Sequence, residues 1–341
     1  MPPPAVPFGL SWSDERLAAA LRSGLAVTEA LLSASVKSEY PFVTETSRHL
    51  VDAGGKRFRP LLVLLAAQLG DPTAPGVVPS AVVVELTHLA TLYHDDVMDD
   101  AALRRGAPSA NARWDNTVAI LTGDFLFAKA SQLLADLGPE AVRIQARTFE
   151  RLCTGQIRET VGPGEGEDPV DHYLSVVADK TGSLIATSGQ FGALLSGADE
   201  SVVTVMTRFG ERIGVAFQLS DDILDVASDS GDSGKTPGTD LREGVPTLPV
   251  LHLRRAATEA GAALSADDRR LLELLDSDLG EDDAAHAEAL RLLRGSVAMQ
   301  RAREDLQRYA DDARSVLAGL PDHPVKDALH LLCDFVVERI S

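Results

Sequence analysis

Two copies of one acidic pattern, D-D-x-x-D, lie far apart in the chain, at residues 95–99 and 221–225. Each copy closes a long, mostly apolar segment with helical character. Positions i, i+1 and i+4 of a helix lie on one side, so each copy places three carboxylates on a single face. These like charges repel one another, and near a helix C-terminus they also oppose the macrodipole. The pattern therefore predicts a bound cation at both copies.

The predicted ligands of this cation are carboxylates alone. They belong to Asp95, Asp96, Asp99, Asp221, Asp222 and Asp225. Oxygen donors without cysteine and with little histidine favour a hard ion, and Mg²⁺ is the first candidate. A single D-D-x-x-D is most often a solvated surface patch. Two copies, each followed by basic residues, favour a functional site instead.

Basic residues accompany the acidic copies at four places. They lie in Gly54-Gly55-Lys56-Arg57-Phe58-Arg59, Arg104-Arg105, Lys180-Thr181 and Gly234-Lys235. The first segment crowds three cations at a predicted helix start, where the backbone is already positive, so a bound anion would relieve the repulsion. Taken alone, each place also fits a common turn or a favourable charge at a helix C-terminus. His88, His94 and Gln218 likewise fit a packing role when each is taken alone.

Composition narrows the class of partner. The 341-residue chain has Lys+Arg 32 against Asp+Glu 51, a net charge of −19. Nucleic acid is therefore not an expected partner, because binding its phosphates needs a basic surface. A small phosphorylated substrate needs only a local basic patch. Hydrophobic content of 45% with 5% aromatic residues favours packed helices over sheets.

The elements that must position these residues are predicted to be helices. One from Pro79 carries the first acidic copy and is expected to end near Gly106-Ala107-Pro108, and one over 199–227 carries the second copy. Further helices are predicted from Ser13-Asp14-Glu15 onward, from Pro60 to Leu69, and over 111–137, 139–160, 170–196, 246–258, 265–276, 281–316 and 324–339. No strand alternation, repeat or long linker is evident. The sequence thus predicts a flexible Pro-rich segment over 1–12 and one all-α domain over 13–341.

The expected location is the cytoplasm. Cys153 and Cys333 lie in helical, apolar contexts, which favours buried free thiols in a reducing compartment. The first residues lack the basic and apolar regions of a signal peptide. Apolar runs such as Leu61–Ala67 are too short to cross a bilayer, so no membrane span is expected.

The ordered set of motifs closely resembles that of the trans-isoprenyl diphosphate synthases, also called polyprenyl synthetases. The shared motifs are G-G-K-R-x-R-P (54–60), H-D-D-x-x-D-x-x-x-x-R-R-G (94–106), G-D-F-L (123–126), K-T (180–181), F-Q-L-x-D-D-x-x-D (217–225) and G-K-x-x-G-x-D-L (234–241). They cover about residues 40–250. The resemblance implies an all-α, single-domain bundle of many helices around a central cavity, and a prenyl-transferring activity in isoprenoid biosynthesis.

The resemblance also implies a mechanism and a set of roles. In this family, Mg²⁺ ions bridging the two aspartate-rich motifs hold an allylic diphosphate, which ionises to a carbocation that isopentenyl diphosphate attacks before a proton is lost. The six aspartates would supply the metal sites, with Asp95, Asp99 and Asp221 the strongest candidates. The implied catalytic residues are Asp95, Asp96, Asp99, Lys180, Asp221 and Asp222. Isopentenyl diphosphate would be held by Lys56, Arg59, His88 and Arg105, and the allylic diphosphate by Arg104, Lys180, Thr181, Gln218 and Lys235.

The resemblance also bears on the acceptor of the proton, on the oligomeric state, and on one position where this chain departs from the family pattern. No protein base is evident, and the resemblance suggests that the released diphosphate accepts the proton. The family is commonly homodimeric, so a homodimer is expected. Many relatives carry Lys where this chain has Val245, so one contact to the allylic diphosphate is expected to be absent.

The helix that leads into the first motif is expected to set the product length. In relatives with short products, an aromatic side chain lies four or five residues before the first aspartate. Here those positions are Thr91 and Ala90, and Thr87 lies one turn further back, so the chain resembles the long-chain synthases. We expect a product longer than geranylgeranyl. Tyr93, Phe125, Phe127 and Phe149 are the residues that could still block the path.

Three alternatives compete with a long-chain synthase. The first is a short-chain synthase that makes farnesyl or geranylgeranyl diphosphate. The second is a class I terpene cyclase, which the second intact aspartate motif and the extra basic residues disfavour. The third is a non-catalytic subunit of an active partner. Such subunits typically lose aspartates from one motif, and this chain keeps both.

Overall fold

The computed structural model describes residues 14–228, 237–260 and 264–340. Its α-helices are α1 (Glu15–Ser35), α2 (Pro41–Asp52), α3 (Phe58–Ala67), α4 (Val77–Met98), α5 (Ala110–Arg113), α6 (Asn116–Leu137), α7 (Pro139–Val161), α8 (Pro169–Val177), α9 (Ser183–Leu195), α10 (Glu200–Ala227), α11 (Thr239–Arg242), α12 (Leu248–Ala260), α13 (Ala266–Leu275), α14 (Asp283–Arg294), α15 (Val297–Val316) and α16 (Pro324–Glu338). Two short strands form a hairpin, β1 (Leu103–Arg104) and β2 (Ala107–Pro108). The predicted all-α fold is confirmed.

Both acidic motifs lie where the sequence placed them, in the last turns of long helices. The second motif belongs to α10, which ends at Ala227 as predicted. The first belongs to α4, which begins at Val77, two residues before the predicted start. Three other predicted helices are divided: 111–137 at Trp114-Asp115, 170–196 by a π-helical turn at Ala178–Gly182, and 281–316 at Gly295.

The predicted end of the helix that carries the first motif is wrong. α4 ends at Met98, well before Gly106. Asp100 adopts a left-handed φ of 47°, and the N–H of Ala101 donates to the carbonyl of Asp96 at 2.9 Å. This pair of features is a Schellman C-terminus, in which the chain satisfies a terminal carbonyl while leaving the helix axis. The following basic residues are therefore not on the helix.

The hairpin after α4 turns the basic residues back. β1 pairs antiparallel with β2 across a two-residue loop, Arg105-Gly106. Both loop residues have positive φ, 54° and 76°, as a type I′ turn requires. Strands of two residues show no alternation of polarity, which is why the sequence did not reveal them.

The described residues form two compact units. The first comprises the residues up to Glu150 together with Leu184–Gly210 and Leu317–Leu329. Its core cluster includes Leu86, Leu89 and Tyr93 of α4 and Leu126 of α6, all without exposed surface. α4 and α6 pack closely at Gly123, because a Cβ there would collide with the imidazole of His94. This unit holds the first acidic motif.

The second unit holds the second acidic motif. It comprises Arg151–Ser183, Glu211–Val316 and the described residues from His330 onward. α10 buries Ile213, Leu219, Ile223 and Val226, which follow the spacing of a helix with one apolar face. Asp221 and Asp225 lie beside this face and are half-buried.

The cysteines and the apolar helices bear on the expected location. Both cysteines are unpaired; Cys333 is buried as predicted, whereas Cys153 is exposed, so the prediction of burial is wrong there. Cys153 falls on the outer side of α7, which faces solvent. By length and composition α1 and α6 are each apolar enough to cross a membrane, a property that core helices of soluble proteins share. The cytoplasmic location and the absence of a membrane span stay predictions.

Candidate functional site

The Gly-Gly-Lys-Arg segment forms the turn between α2 and α3. Gly54 and Gly55 adopt φ of 85° and 148°, and Arg57 adopts a left-handed φ of 49°. Arg57 turns inward, where its guanidinium donates to Glu85 at 2.8 Å and also pairs with Glu29. Its side chain is 9% exposed. Arg57 therefore anchors the turn through its side chain. The predicted substrate ligands Lys56 and Arg59 lie on either side of it in the sequence.

Arg105 packs directly on this turn. One of its Nη atoms donates to the carbonyl of Leu50 at 2.9 Å and to that of Gly54. A Cβ at Gly55 would lie 2.9 Å from Cζ of Arg105, so only glycine lets the guanidinium come this close. The hairpin after α4 thus brings Arg105 to the segment that carries Lys56.

His88 lies at the centre of these cations. Burial lowers the pKa of His88 well below its ordinary value, and the charges of the surrounding arginines, foremost Arg59 and Arg105, lower it further. Near pH 7 the imidazole is neutral. Of the four residues predicted to hold isopentenyl diphosphate, the structure thus gathers Arg59, His88 and Arg105 in one place. A diphosphate there would offset the mutual repulsion of the guanidiniums and accept their forked hydrogen bonds.

The first acidic motif divides into a buried and an accessible part. Asp96 has no exposed surface, and its Oδ1 accepts from Nε of Arg104 at 2.5 Å. Burial raises the pKa of Asp96, and the guanidinium of Arg104 opposes the rise. Oδ2 of Asp96 is buried and has no hydrogen-bond partner among the described residues. Asp95 is half-buried and Asp99 is exposed, so these two are the carboxylates that solvent reaches.

Arg104 bridges this motif to the hairpin. Its Nη2 lies 3.9 Å from Oδ2 of Asp99, in addition to the contact with Asp96. Arg104 therefore pairs with the aspartates of the motif. Its binding of the allylic diphosphate stays a prediction.

The second acidic motif is held by an arginine that sequence reasoning missed. Nη1 of Arg339 lies 2.8 Å from Oδ1 of Asp221. The same guanidinium donates to Oγ of Ser220 at 2.6 Å and to the carbonyl of Phe217 at 2.8 Å, and it stacks over the Phe217 ring at 4.4 Å. Its side chain is 9% exposed. A lone arginine near the end of the chain carries no motif that could have revealed this contact.

Asp222 is held by neutral donors. Gln218 donates from Nε2 to Oδ1 of Asp222 at 2.9 Å, and the hydroxyl of Tyr173 donates to Oδ2. Burial raises the pKa of Asp222 to about 7, although both hydrogen bonds oppose the rise. Thr181 donates to Oε1 of Gln218 at 3.2 Å. The predicted residues Thr181, Gln218 and Asp222 thus form a series of hydrogen bonds, and Tyr173 is a further donor to Asp222.

Lys180 lies in the π-helical turn, a backbone feature that often marks functional positions. Its ammonium lies 2.5 Å from Oε2 of Glu159 on α7. Gly155 lets α7 approach the turn, because a Cβ there would lie 2.8 Å from the backbone nitrogen of Lys180. The predicted cation is thus present beside Thr181, with a glutamate as its partner.

Asp225 ties the second motif to the segment that follows. Its two carboxylate oxygens accept from the backbone N–H groups of Thr239 at 3.2 Å and Asp240 at 3.1 Å, at the start of α11. The predicted Lys235 lies outside the described residues. Val245 is 44% exposed, and its N–H donates to the carbonyl of Asp240 at 2.8 Å.

The residues predicted to set product length occupy different faces of α4. Ala90 is fully buried in the core cluster that α4 shares with α6. Thr91 is half-buried, and its hydroxyl donates to the carbonyl of His88 at 2.8 Å. Thr87 is fully buried and accepts a hydrogen bond from Gln145 of α7, a residue that the sequence did not single out. The contribution of these residues to product length stays a prediction.

The described residues contain no group of three or more His, Cys, Asp or Glu side chains arranged to hold a metal ion. The candidate donors are still all oxygens, as a hard cation prefers, and one of them, Oδ2 of Asp96, has no hydrogen-bond partner in the part of the chain that the structure describes. Mg²⁺ commonly binds through one or two carboxylates together with substrate phosphates and water. The residues present therefore fit Mg²⁺ that arrives with a diphosphate.

Comparison with protein families and curated relatives gives one answer. The polyprenyl synthetase family model matches residues 40–291. The chain is 50% identical over 338 residues to the nonaprenyl diphosphate synthase of Mycobacterium tuberculosis, covering 99% of this chain and 98% of the relative. It is 44% identical over 335 residues to a dimethylallyltranstransferase of the same organism, covering 98% of each.

Solved structures show the same likeness. The chain resembles the geranylgeranyl pyrophosphate synthase of Corynebacterium glutamicum complexed with calcium and isoprenyl diphosphate, with a TM-score of 0.85, 44% identity and coverage of 97% and 99% of the two chains. It also resembles a decaprenyl diphosphate synthase of Rhodobacter capsulatus, with a TM-score of 0.84, 35% identity and coverage of 96% and 99%.

Proposed function

The chain belongs to the polyprenyl synthetase family, and from that premise we propose that it adds isopentenyl diphosphate repeatedly to an allylic diphosphate. The product is an all-trans polyprenyl diphosphate longer than geranylgeranyl. One observation carries the proposal: α4 bears both His88, set among arginines, and the carboxylates that begin at Asp95. Their separation of seven positions corresponds to about 10 Å of helix. One helix thus offers an anion site for one substrate beside a cation site for the other.

The chain's own residues have separable tasks in this reaction. Lys56, Arg59 and Arg105, with neutral His88, would hold the diphosphate of isopentenyl diphosphate. Lys180, Thr181 and Gln218 would orient the allylic diphosphate, with Arg104 and Lys235 as further predicted contacts. Since no protein base is evident in the motifs, the departing diphosphate is the proposed acceptor of the proton.

Mg²⁺ would bind chiefly to Asp95, Asp99 and Asp221. When bound, it supplies positive charge that stabilises the leaving diphosphate. Asp96 and Asp222, each buried and hydrogen-bonded, would position their neighbours, and Asp225 would fix the start of α11. We assign the metal to Asp95, Asp99 and Asp221 because solvent reaches their carboxylates, whereas Asp96 and Asp222 are buried.

The proposed product length rests on two supports. The side chains one and two turns before Asp95 are Thr91 and Thr87, neither of them aromatic. The relatives include nonaprenyl, heptaprenyl and octaprenyl diphosphate synthases. Geranylgeranyl synthases of similar fold support the short-chain alternative, so product length needs a direct assay.

A homodimer is the proposed assembly. α6 exposes Ile120 at 42% and Leu121 at 61%, and an apolar surface of this kind on a long helix suits a second copy of the chain. Light scattering on the purified protein measures the state directly. A monomer at micromolar concentration would remove this part of the proposal.

The decisive assay incubates the full chain with Mg²⁺, isopentenyl diphosphate and a series of allylic diphosphates, and measures product length by chromatography. We expect every product to require isopentenyl diphosphate and the main product to exceed geranylgeranyl. Conversion of the allylic substrate alone would indicate a cyclase. Products that stop at farnesyl or geranylgeranyl would indicate a short-chain synthase, and no product from the homomeric protein would indicate a non-catalytic subunit.

A further inference from the structure

A buried polar pair joins α4 to α7 inside the first unit. Gln145 donates from Nε2 to Oγ1 of Thr87 at 2.8 Å, and the Thr87 hydroxyl donates in turn to the carbonyl of Val83 at 2.8 Å. Thr87 has no exposed surface, and Gln145 is 7% exposed. The remaining acceptor, Oε1 of Gln145, is buried and has no hydrogen-bond partner among the described residues. Buried amides normally satisfy both ends, so this one calls for an explanation.

The pair lies on the strip of α4 that leads away from the first acidic motif. Asp95, Thr91 and Thr87 follow one another at intervals of four residues and therefore share one side of the helix. The eight residues from Asp95 back to Thr87 correspond to about 12 Å. A tail attached to a diphosphate at the motif, and running along this strip, would meet Thr91 first and Thr87 next.

α7 supplies the opposite side of this path. The ring of Phe149 lies 4.5 Å from that of Phe127, which lies 5.8 Å from the imidazole of His94 beside the motif. Gln145 lies one helical turn before Phe149, on the same side of α7. Along α4, Phe149 thus lies close to the motif, and Gln145 lies beside Thr87, to which it is hydrogen-bonded.

We infer that Thr87 and Gln145 form a polar stop that limits the length of the prenyl product, an inference that rests on the proposed function. A prenyl tail is wholly apolar, so passing this level breaks the bond between Gln145 and Thr87 and leaves the Gln145 amide against hydrocarbon, while the Thr87 hydroxyl keeps its bond to Val83. Glutamine can rotate its side chain away, unlike a packed aromatic ring. The pair therefore slows further additions and sets the distribution of lengths.

Two isosteric substitutions test the stop. Gln145→Met and Thr87→Val nearly keep the side-chain shape and remove the polar atoms. In assays with Mg²⁺, isopentenyl diphosphate and farnesyl diphosphate, each variant is expected to lengthen the mean product by about one isoprene unit or more. The rate of the first condensation should stay within about twofold of wild type, since that step precedes contact with the pair. The double variant should resemble the single ones, because all remove the same bond.

Thr28→Val is the matched control. Thr28 is 2% exposed in α1, and its hydroxyl donates to the carbonyl of Gly24 at 2.8 Å, the same kind of bond that Thr87 makes with its own helix. This variant should leave product length unchanged. Gln145→Phe, which puts a bulky ring at the stop, should shorten the product.

The outcomes separate this inference from the proposed function. If wild type forms no product with any allylic substrate, the proposed function fails, and the inference fails with it. If wild type elongates but Thr87→Val and Gln145→Met give unchanged lengths while circular dichroism and melting match wild type, the polar stop is wrong. Equal lengthening in Thr28→Val would also overturn it, because general loosening would then be the cause.

Discussion

The two acidic motifs share one pattern but stabilise their buried aspartate by different means. In the first, the carboxylate of Asp96 faces a full positive charge, the guanidinium of Arg104 at 2.5 Å. In the second, the donors to Asp222 among the residues that the structure describes are the neutral Tyr173 and Gln218, and its pKa rises to about 7. The second motif's arginine instead pairs with the half-exposed Asp221. Identical spacing therefore does not fix which carboxylate pairs with the arginine.

This difference has a functional consequence. In each motif the second aspartate is buried and hydrogen-bonded by protein groups, whereas the first aspartate is only half-buried and solvent reaches it. A cation would therefore bind to the first aspartate of each copy, Asp95 or Asp221, although different groups hold the second aspartate. Substitutions made in parallel at the two motifs test this assignment.

The largest expected effect is loss of turnover from the first aspartates. Asp95→Ala and Asp221→Ala should each lower kcat by about 10²–10³-fold, because each removes a proposed ligand of the Mg²⁺ that would stabilise the leaving diphosphate. Steady-state kinetics at saturating Mg²⁺ measure the loss. Asp312→Ala, an exposed site on α15, is the control and should keep full activity. If only one of the two variants lost activity, the two motifs would not be equivalent metal sites.

The next effect contrasts the two arginines in stability. Arg104→Gln leaves the fully buried Asp96 carboxylate without a counter-charge and should cost about 3 kcal/mol. Arg339→Gln leaves Asp221, which is 42% exposed and can recover water, and should cost about 1 kcal/mol. Urea denaturation of both variants in EDTA measures the difference. Equal losses would show that burial of the partner carboxylate does not decide the cost.

The neutral donors of the second motif predict a pH effect. The pKa of Asp222, about 7 in the folded protein against an ordinary 3.8, means that the folded state binds this proton more tightly. The resulting stability is fully present below about pH 4 and is lost as pH rises through about 7. In Asp222→Asn, the fall in unfolding free energy between pH 5 and 8, measured in EDTA, should shrink by about 1 kcal/mol or more.

Tyr173→Phe tests the same pH dependence through the hydrogen bond to Asp222. The Tyr173 hydroxyl bonds to the ionised carboxylate and so lowers the pKa of Asp222. Without it that pKa should rise, and the loss of stability should move to higher pH. Tyr309→Phe, on α15, is a control with an unrelated phenol and should leave the pH dependence unchanged. A shift to lower pH in Tyr173→Phe would contradict the assigned role of the hydroxyl.

The sequence predicted the helical fold and the residues of the motifs because both depend on local spacing. Lys56, Arg57 and Arg59 look alike in the sequence, and only the ion pairs of Arg57 with Glu29 and Glu85 show that its side chain turns inward. Contacts between residues distant in the chain left no signal. Tyr173 and Arg339 each reach an aspartate of α10 across many residues, and a two-residue hairpin carries no periodicity.

The smallest expected effect concerns the cation that many relatives have and this chain lacks. Arginines surround His88 near the first motif, whereas the segment after the second motif carries Val245. Val245→Lys should lower the KM for the allylic diphosphate about threefold, a gain typical of a solvent-exposed charge, with little change in kcat or stability. Val297→Lys, at the start of α15, is the control for added charge alone; Val297 is 68% exposed against 44% for Val245. If both lysines lowered KM alike, net charge rather than position would be responsible, and the imbalance of cations between the two regions would have no bearing on substrate binding.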